Sequence, residues 1–198
     1  MYHKGYKKKI IVKPKYASIV PCGIELETFF FINQKIAKEK CSLNVNKKYI
    51  LFTSNFKNKV KNYPLAKRAI ELTKLDIELV ELKNKSRKEV NLLLNACELL
   101  LMTSYSEGSP QIVKEAMAVN CPVVSTDVGE VSQIINDTNH CYVLPFDAKL
   151  IASKIIKILD NPVRTNGRNN ISDYNNELIA SKIKNIYHQV LNWKSSLI

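Results

Sequence analysis

The sequence predicts an α/β domain built on a parallel sheet with helices on both faces. From residue 48 onward, short apolar runs alternate with segments of helical periodicity. Separators of that length suit right-handed βαβ crossovers, whereas a hairpin needs only a few residues. The chain has 198 residues, 45% of them hydrophobic and 24% charged, which suffices for one full-sized domain with a buried core, or for two very small ones.

Each element follows from its local pattern. Lys48–Ser54 (KYILFTS) reads as a strand ending in a polar turn. Tyr63–Lys74 reads as a helix, with Leu65, Ala69, Ile70 and Leu72 near one side. Ile77–Leu82 (IELVEL) alternates with period two and reads as a strand. Arg87–Ala96 is helical, and Glu98–Thr103 (ELLLMT) is a buried strand. Pro110–Val119 is a helix, Pro122–Thr126 a strand, Glu130–Ile135 a short helix and Cys141–Leu144 a short strand. Asp147–Leu159 repeats apolar residues at helical spacing. Asp173–Trp193 carries a stripe of Ile179, Ile183, Ile186, Val190 and Trp193, which predicts a helix docked on the core. The organisation expected is a basic lead-in over 1–18, a domain over 19–172 and a packed amphipathic helix over 173–198.

Composition narrows the function. The longest apolar stretch, around Leu92–Met102, contains Asn95 and Glu98 and is too short and polar to span a bilayer. The start (MYHK) has no apolar core of a secretory leader, so a cytoplasmic protein is expected. Five widely spaced cysteines without a C-x-x-C pair suit reduced thiols better than disulfides or zinc. His3, His140 and His188 are isolated, and the serines lack a G-x-S-x-G elbow, which argues against a hydrolase triad. The net charge of +12 is concentrated: residues 1–61 hold 14 lysines against 3 glutamates. Such a run is either a solvated face or a surface for phosphate, anionic lipid or nucleic acid. Its aromatics cluster at Phe29, Phe30 and Phe31 without interleaving with the lysines, so no nucleic acid is expected.

The segment that carries chemistry is Ser104-Tyr-Ser-Glu107-Gly108-Ser109-Pro110-Gln111-Ile112-Val-Lys-Glu115-Ala-Met-Ala118. It follows a buried strand, and Ser109 as N-cap with Pro110 at the first position would open a helix. The free N–H groups of Gln111 and Ile112, aided by the helix dipole, would form an anion site at the carboxyl end of the sheet. Gly108 would let a ligand approach the backbone. Glu107 and Glu115 would flank that ligand and accept hydrogen bonds from its hydroxyls. A diphosphate carrying hydroxyls at both ends, such as a sugar nucleotide, matches this layout.

Glu107-x7-Glu115, followed by AMAVNCPVVSTDVGE, resembles the E-x7-E signature of retaining glycosyltransferases of family 4. Ile19-Val-Pro-Cys-Gly-Ile-Glu25-Leu-Glu-Thr-Phe29 resembles the VIPNGVDLxxF start of that family's donor domain, and Lys48–Lys61 its GR…K loop. The resemblance covers roughly residues 17–160. It implies a single Rossmann-like domain, the C-terminal half of a GT-B fold, that binds a nucleoside-diphosphate sugar. Glu115 would hold the ribose hydroxyls and Glu107 the donor sugar. The amides around Ser109–Ile112 would bind the diphosphate, and Lys61 would neutralise it. Leu82 and its neighbours would contact the base through the backbone. Glu107 and Lys61 are the implied catalytic residues. The reaction would retain configuration on the donor's front face, with no metal and no further cofactor; no D-x-D is present.

The sequence departs from the family pattern at Cys22, at Glu25, and at Ser54-Asn55, where Gly-Arg is usual. Asn55 would contact the diphosphate without the cation, which Lys57 or Lys59 can supply in part. The resemblance also implies an amino-terminal acceptor domain, whereas only about twenty residues precede the donor domain here. A separate acceptor-domain subunit, a fragment, or a non-catalytic nucleotide-sugar module or remnant would each fit. Basic residues 4–61 leave room for a peripheral contact with an anionic membrane.

Overall fold

The computed structural model describes residues 17–195; the basic lead-in expected over 1–18 lies almost wholly outside them. Five parallel strands form one sheet: β1 Lys48–Phe52, β2 Ile77–Glu81, β3 Leu99–Met102, β4 Val123–Thr126 and β5 Cys141–Leu144, in the order β2-β1-β3-β4-β5. The helices are α1 Gln34–Lys40, α2 Tyr63–Thr73, α3 Arg87–Ala96, α4 Gln111–Ala118, α5 Val131–Ile135, α6 Ala148–Asp160, α7 Gly167–Asn170 and α8 Asn176–Ser195. The α/β fold class read from the sequence is the one observed, with a helix between each pair of successive strands.

Period-two alternation divides the strands between two cores. Tyr49, Leu51, Leu100, Met102 and Val123 face α3, α4 and α5, whereas Ile50, Phe52, Leu99, Leu101 and Val124 face α2 and α6. All these strand residues are buried, which is why they read as continuous apolar runs.

Local chemistry sets the helix starts. Ser86 and Glu89 form a reciprocal capping box on α3, and the Asp147 carboxylate accepts from the Lys149 and Leu150 amides at the start of α6. Asn62 takes a left-handed conformation, ending the 3₁₀ turn Lys59–Lys61 and turning the chain into α2. Helix α1 was not expected from its sequence; it is capped by Asn33 and packs on α3.

The amino-terminal segment is tied to the far end of the described chain. Ile24 pairs with Asn175 in a parallel bridge, and a Cβ on Gly23 would collide with Asn176. Arg168 of α7 donates to the carbonyls of Phe29 at 2.6 Å, Ala118 at 2.9 Å and Leu26 at 3.1 Å. The turn over 25–29 is thereby held on α4.

The carboxyl-terminal stripe differs from expectation. The helix begins three residues later than Asp173, and Ile179 is buried, Ile186 half-buried, and Ile183 and Val190 exposed. The side chain of Trp193 lies outside the described residues. An apolar stripe packs only where a complementary surface meets it, and here the domain supplies one mainly to the first turn. Among the described residues no helix is long and apolar enough to cross a membrane.

Candidate functional site

The carboxyl ends of β1 and β3 lie side by side, and the loops leaving them build the site. Thr103, just past β3, donates its hydroxyl to the carbonyls of Lys61 at 2.9 Å and Asn62 at 3.0 Å. The Tyr105 amide donates to Val60 at 2.9 Å. These bonds bring the Lys59–Lys61 turn against the loop carrying Glu107. Lys61 Nζ then meets Glu107 Oε1 at 2.6 Å, with side chains 20% and 14% exposed. Lys61 and Glu107, 46 positions apart in sequence, are thus one charge-assisted pair, partly shielded from water.

The Glu107–Ser109 loop is buttressed from behind. Gly129 has φ of 57°, and the Glu130 amide donates to the Gly108 carbonyl at 3.0 Å. Gly108 has its own open side: a Cβ there would meet nothing within 4 Å.

Helix α4 begins one residue later than predicted. Pro110, with φ −69° and ψ 111°, is the N-cap, and no side chain caps the helix. Ser109 is therefore not the cap. Its hydroxyl accepts from Lys114 Nζ at 2.6 Å, because the extended conformation of Pro110 moves Ser109 out of capping range. The first amides of α4, those of Gln111 and Ile112, are left without a cap partner.

Lys114 is not among the site residues that the sequence predicts. It is fully buried, and its ammonium also donates to the Cys22 carbonyl at 2.6 Å and to Gln111 Oε1 at 3.2 Å, and lies 5.0 Å from the centre of the Tyr174 ring. Gln111 Nε2 in turn donates to the Gly23 carbonyl at 2.7 Å. Burial pushes the Lys114 ammonium below its ordinary range, against the pull of Cys22 and Glu130. Its sequence signal is a lysine in a helix whose neighbours Val113, Ala116, Met117 and Ala118 are apolar, whereas the Cys22 carbonyl and Tyr174 ring that help to receive it are remote in the chain.

Glu115 is 8% exposed, and Arg87 Nη1 lies 3.6 Å from its Oε1. Burial raises the Glu115 carboxyl above the usual carboxylate range, and Arg87 opposes that shift. Asn55 is spent locally: its side chain accepts from the Lys57 amide at 2.8 Å and its carbonyl from Asn58 at 3.0 Å. Lys57 and Lys59 point into solvent. Glu81 Oε1 accepts from the Phe56 amide at 2.7 Å, fastening this loop to the end of β2. Leu82 packs its side chain against the core. Among the described residues, no hydrogen bond or ion pair joins Asn55 or Leu82 to the Glu107–Lys61 pair or to Glu115. No group of metal-binding side chains occurs among them either.

A five-stranded parallel sheet flanked by helices defines a Rossmann-like α/β domain of the kind found in GT-B glycosyltransferase structures. Residues 66–178 match the family model described as glycosyl transferases group 1, and the chain belongs to that family. A 64-residue stretch is 41% identical to the Bacillus subtilis (strain 168) protein named "Putative teichuronic acid biosynthesis glycosyltransferase TuaC", covering 32% of this chain and 16% of that one. The fold is similar to sucrose-phosphate synthase from Thermosynechococcus elongatus, with a TM-score of 0.77 and 19% identity over 96% of this chain and 56% of that one. It is also similar to the C-terminal domain of a Francisella tularensis group 1 glycosyl transferase, LpcC, with a TM-score of 0.60 and 18% identity over 81% of this chain and 98% of that domain. Anabaena HepE, solved in complex with UDP, matches with a TM-score of 0.72 and 15% identity over 87% of this chain and 57% of that one. The chain therefore spans a small part of the curated relative and little more than half of the sucrose-phosphate synthase and HepE chains.

Proposed function

We propose that this chain is the donor half of a retaining, metal-independent family 4 glycosyltransferase that binds a nucleoside-diphosphate sugar. The observation that carries the reading is the Lys61–Glu107 pair beside the uncapped start of α4, with Glu115 farther along the same helix. Cation and free amides suit a diphosphate, and the two carboxylates suit hydroxyls at either end. In the transfer, the bond from the anomeric carbon to the diphosphate oxygen breaks and a bond to an acceptor hydroxyl oxygen forms on the same face. The acceptor's proton passes to the departing diphosphate. Lys61 and the amides of Gln111 and Ile112 stabilise the charge that builds on that leaving group. Glu107 orients the sugar.

The acceptor would be a saccharide or lipid-linked saccharide, presented by a separate acceptor-domain subunit. Contact with an anionic membrane would use the exposed lysines; Lys38 and Lys61 are excluded, because each is partly or wholly buried against a glutamate. The alternative reading, a nucleotide-sugar module that does not catalyse, is favoured by Asn55, whose side chain is held within its own turn and supplies no cation.

Isothermal calorimetry with UDP, GDP, ADP and their glucose conjugates tests the donor reading. One nucleotide should bind, and Glu115→Ala should weaken it by about 1.5–3 kcal/mol. A folded protein that binds none of them would overturn it. Sugar transfer after addition of an acceptor-domain subunit would exclude the non-catalytic alternative.

A further inference from the structure

Arg87, the first residue of α3, has no part in the readings so far. Its guanidinium lies over the Phe29 ring, 5.0 Å from the centroid. Nη1 is 3.6 Å from Glu115 Oε1, and Nε is 3.9 Å from Glu25 Oε2. Phe29 is fully buried, and Arg168 holds its carbonyl, so the ring beneath the guanidinium is fixed. The Arg87 side chain is 51% exposed and that of Glu115 10%. A half-solvated cation thus stands where an otherwise buried carboxylate reaches the surface.

We infer that Arg87 is a positioning residue of the nucleotide site, holding the Glu115 carboxylate ionised and oriented to receive ribose hydroxyls. This rests on the donor reading above. A carboxyl group removed from water tends to keep its proton, and a protonated carboxyl has less capacity to accept hydrogen bonds. Arg87 counters that tendency without closing the site, because it pairs through one carboxylate oxygen at a distance that a hydroxyl can compete with.

Most of the other charges around α4 are engaged elsewhere. Lys114, next to Glu115 in sequence, turns to Cys22, Ser109 and Gln111. Arg168 on α7 is spent on main-chain carbonyls. On α3, Glu89 pairs with Lys85 and Ser86. Glu130, just before α5, forms no ion pair with Arg87 or Glu115 among the described residues, and one of its carboxylate oxygens is buried without a hydrogen-bond partner. Glu25 shares the Arg87 guanidinium and moderates its effect.

The experiment is calorimetry with UDP, GDP and ADP between pH 5 and 8 on the full chain and on Glu115→Ala, Arg87→Ala and Arg87→Lys. Wild type and Glu115→Ala come first: an absence of nucleotide binding by wild type overturns the donor reading and this inference with it. Given binding that depends on Glu115, Arg87→Ala should bind about three- to fivefold more weakly at pH 7, the range of a partly exposed ion pair. Its affinity should also fall away on the acid side at a higher pH than in wild type. Arg87→Lys, which keeps the charge, should hold the acid midpoint near that of wild type. Wild-type affinity and midpoint in Arg87→Ala would overturn the inference, as would an Arg87→Lys midpoint displaced as far as that of Arg87→Ala. Should Arg87→Ala lose its thermal transition, Arg87→Gln, which removes the charge but keeps most of the side chain, takes its place in each comparison.

Discussion

Gly129 stands directly behind Gly108: a Cβ on Gly129 would fall onto the Gly108 carbonyl oxygen, which also accepts the Glu130 amide. The loop that presents Glu107 is therefore set by a residue more than twenty positions later, with φ of 57° and no room for a side chain.

Gly129→Ala should accordingly destabilise the protein by about 1–3 kcal/mol, through a left-handed backbone and a collision together. Gly108→Ala meets open space and should leave stability within about 0.5 kcal/mol of wild type while impairing nucleotide binding. Urea denaturation of both variants checks this. Equal midpoints for the two would show that the Gly129 contact does not constrain the loop.

The buried Glu115 carboxyl has its pKa raised in the folded state, by burial first, against Arg87. Between the ordinary value of 4.5 and that raised pKa, the folded protein binds more protons than the unfolded one. The stability associated with this group is fully present below 4.5 and is lost as pH rises through the folded pKa. Glu115→Gln should therefore gain stability relative to wild type as pH increases from 4 to 7, while losing nucleotide affinity. Urea midpoints at both pH values measure it; a constant difference between the two proteins would show that the group titrates normally.

The carboxyl-terminal helix should respond unevenly to truncation. Ile179→Ala, at a buried position, should cost about 2–4 kcal/mol, whereas Ile183→Ala, 38% exposed, should stay within about 0.5 kcal/mol of wild type. Thermal melts of the two variants provide the comparison. A large loss at Ile183 would mean that the helix packs along more of its stripe than Ile179 alone.

Much of the fold was legible because strand and helix periods are local. Leu99–Met102 is a continuous apolar run and Val123–Thr126 is buried along its whole length, as strands of a sheet covered on both sides are. Helix α1 is not legible in the sequence, because its seven residues carry little periodicity and packing on α3 stabilises it. The stripe on α8 is the converse case: a pattern states which face is apolar, not whether a surface is present to receive it.

The sequence by itself determined the βα alternation, the rim position of Glu107 and the helix carrying Glu115, since each follows from spacing within a few turns of chain. Tertiary structure alone decided which charges meet. Lys61 finds Glu107 across two loops, Lys114 is buried by the carbonyl of Cys22 from 92 positions away, and Arg87 reaches Glu115 from another helix. Burial and pairing depend on groups remote in sequence, and those remote groups set both the protonation of Glu115 and the partners of Lys61.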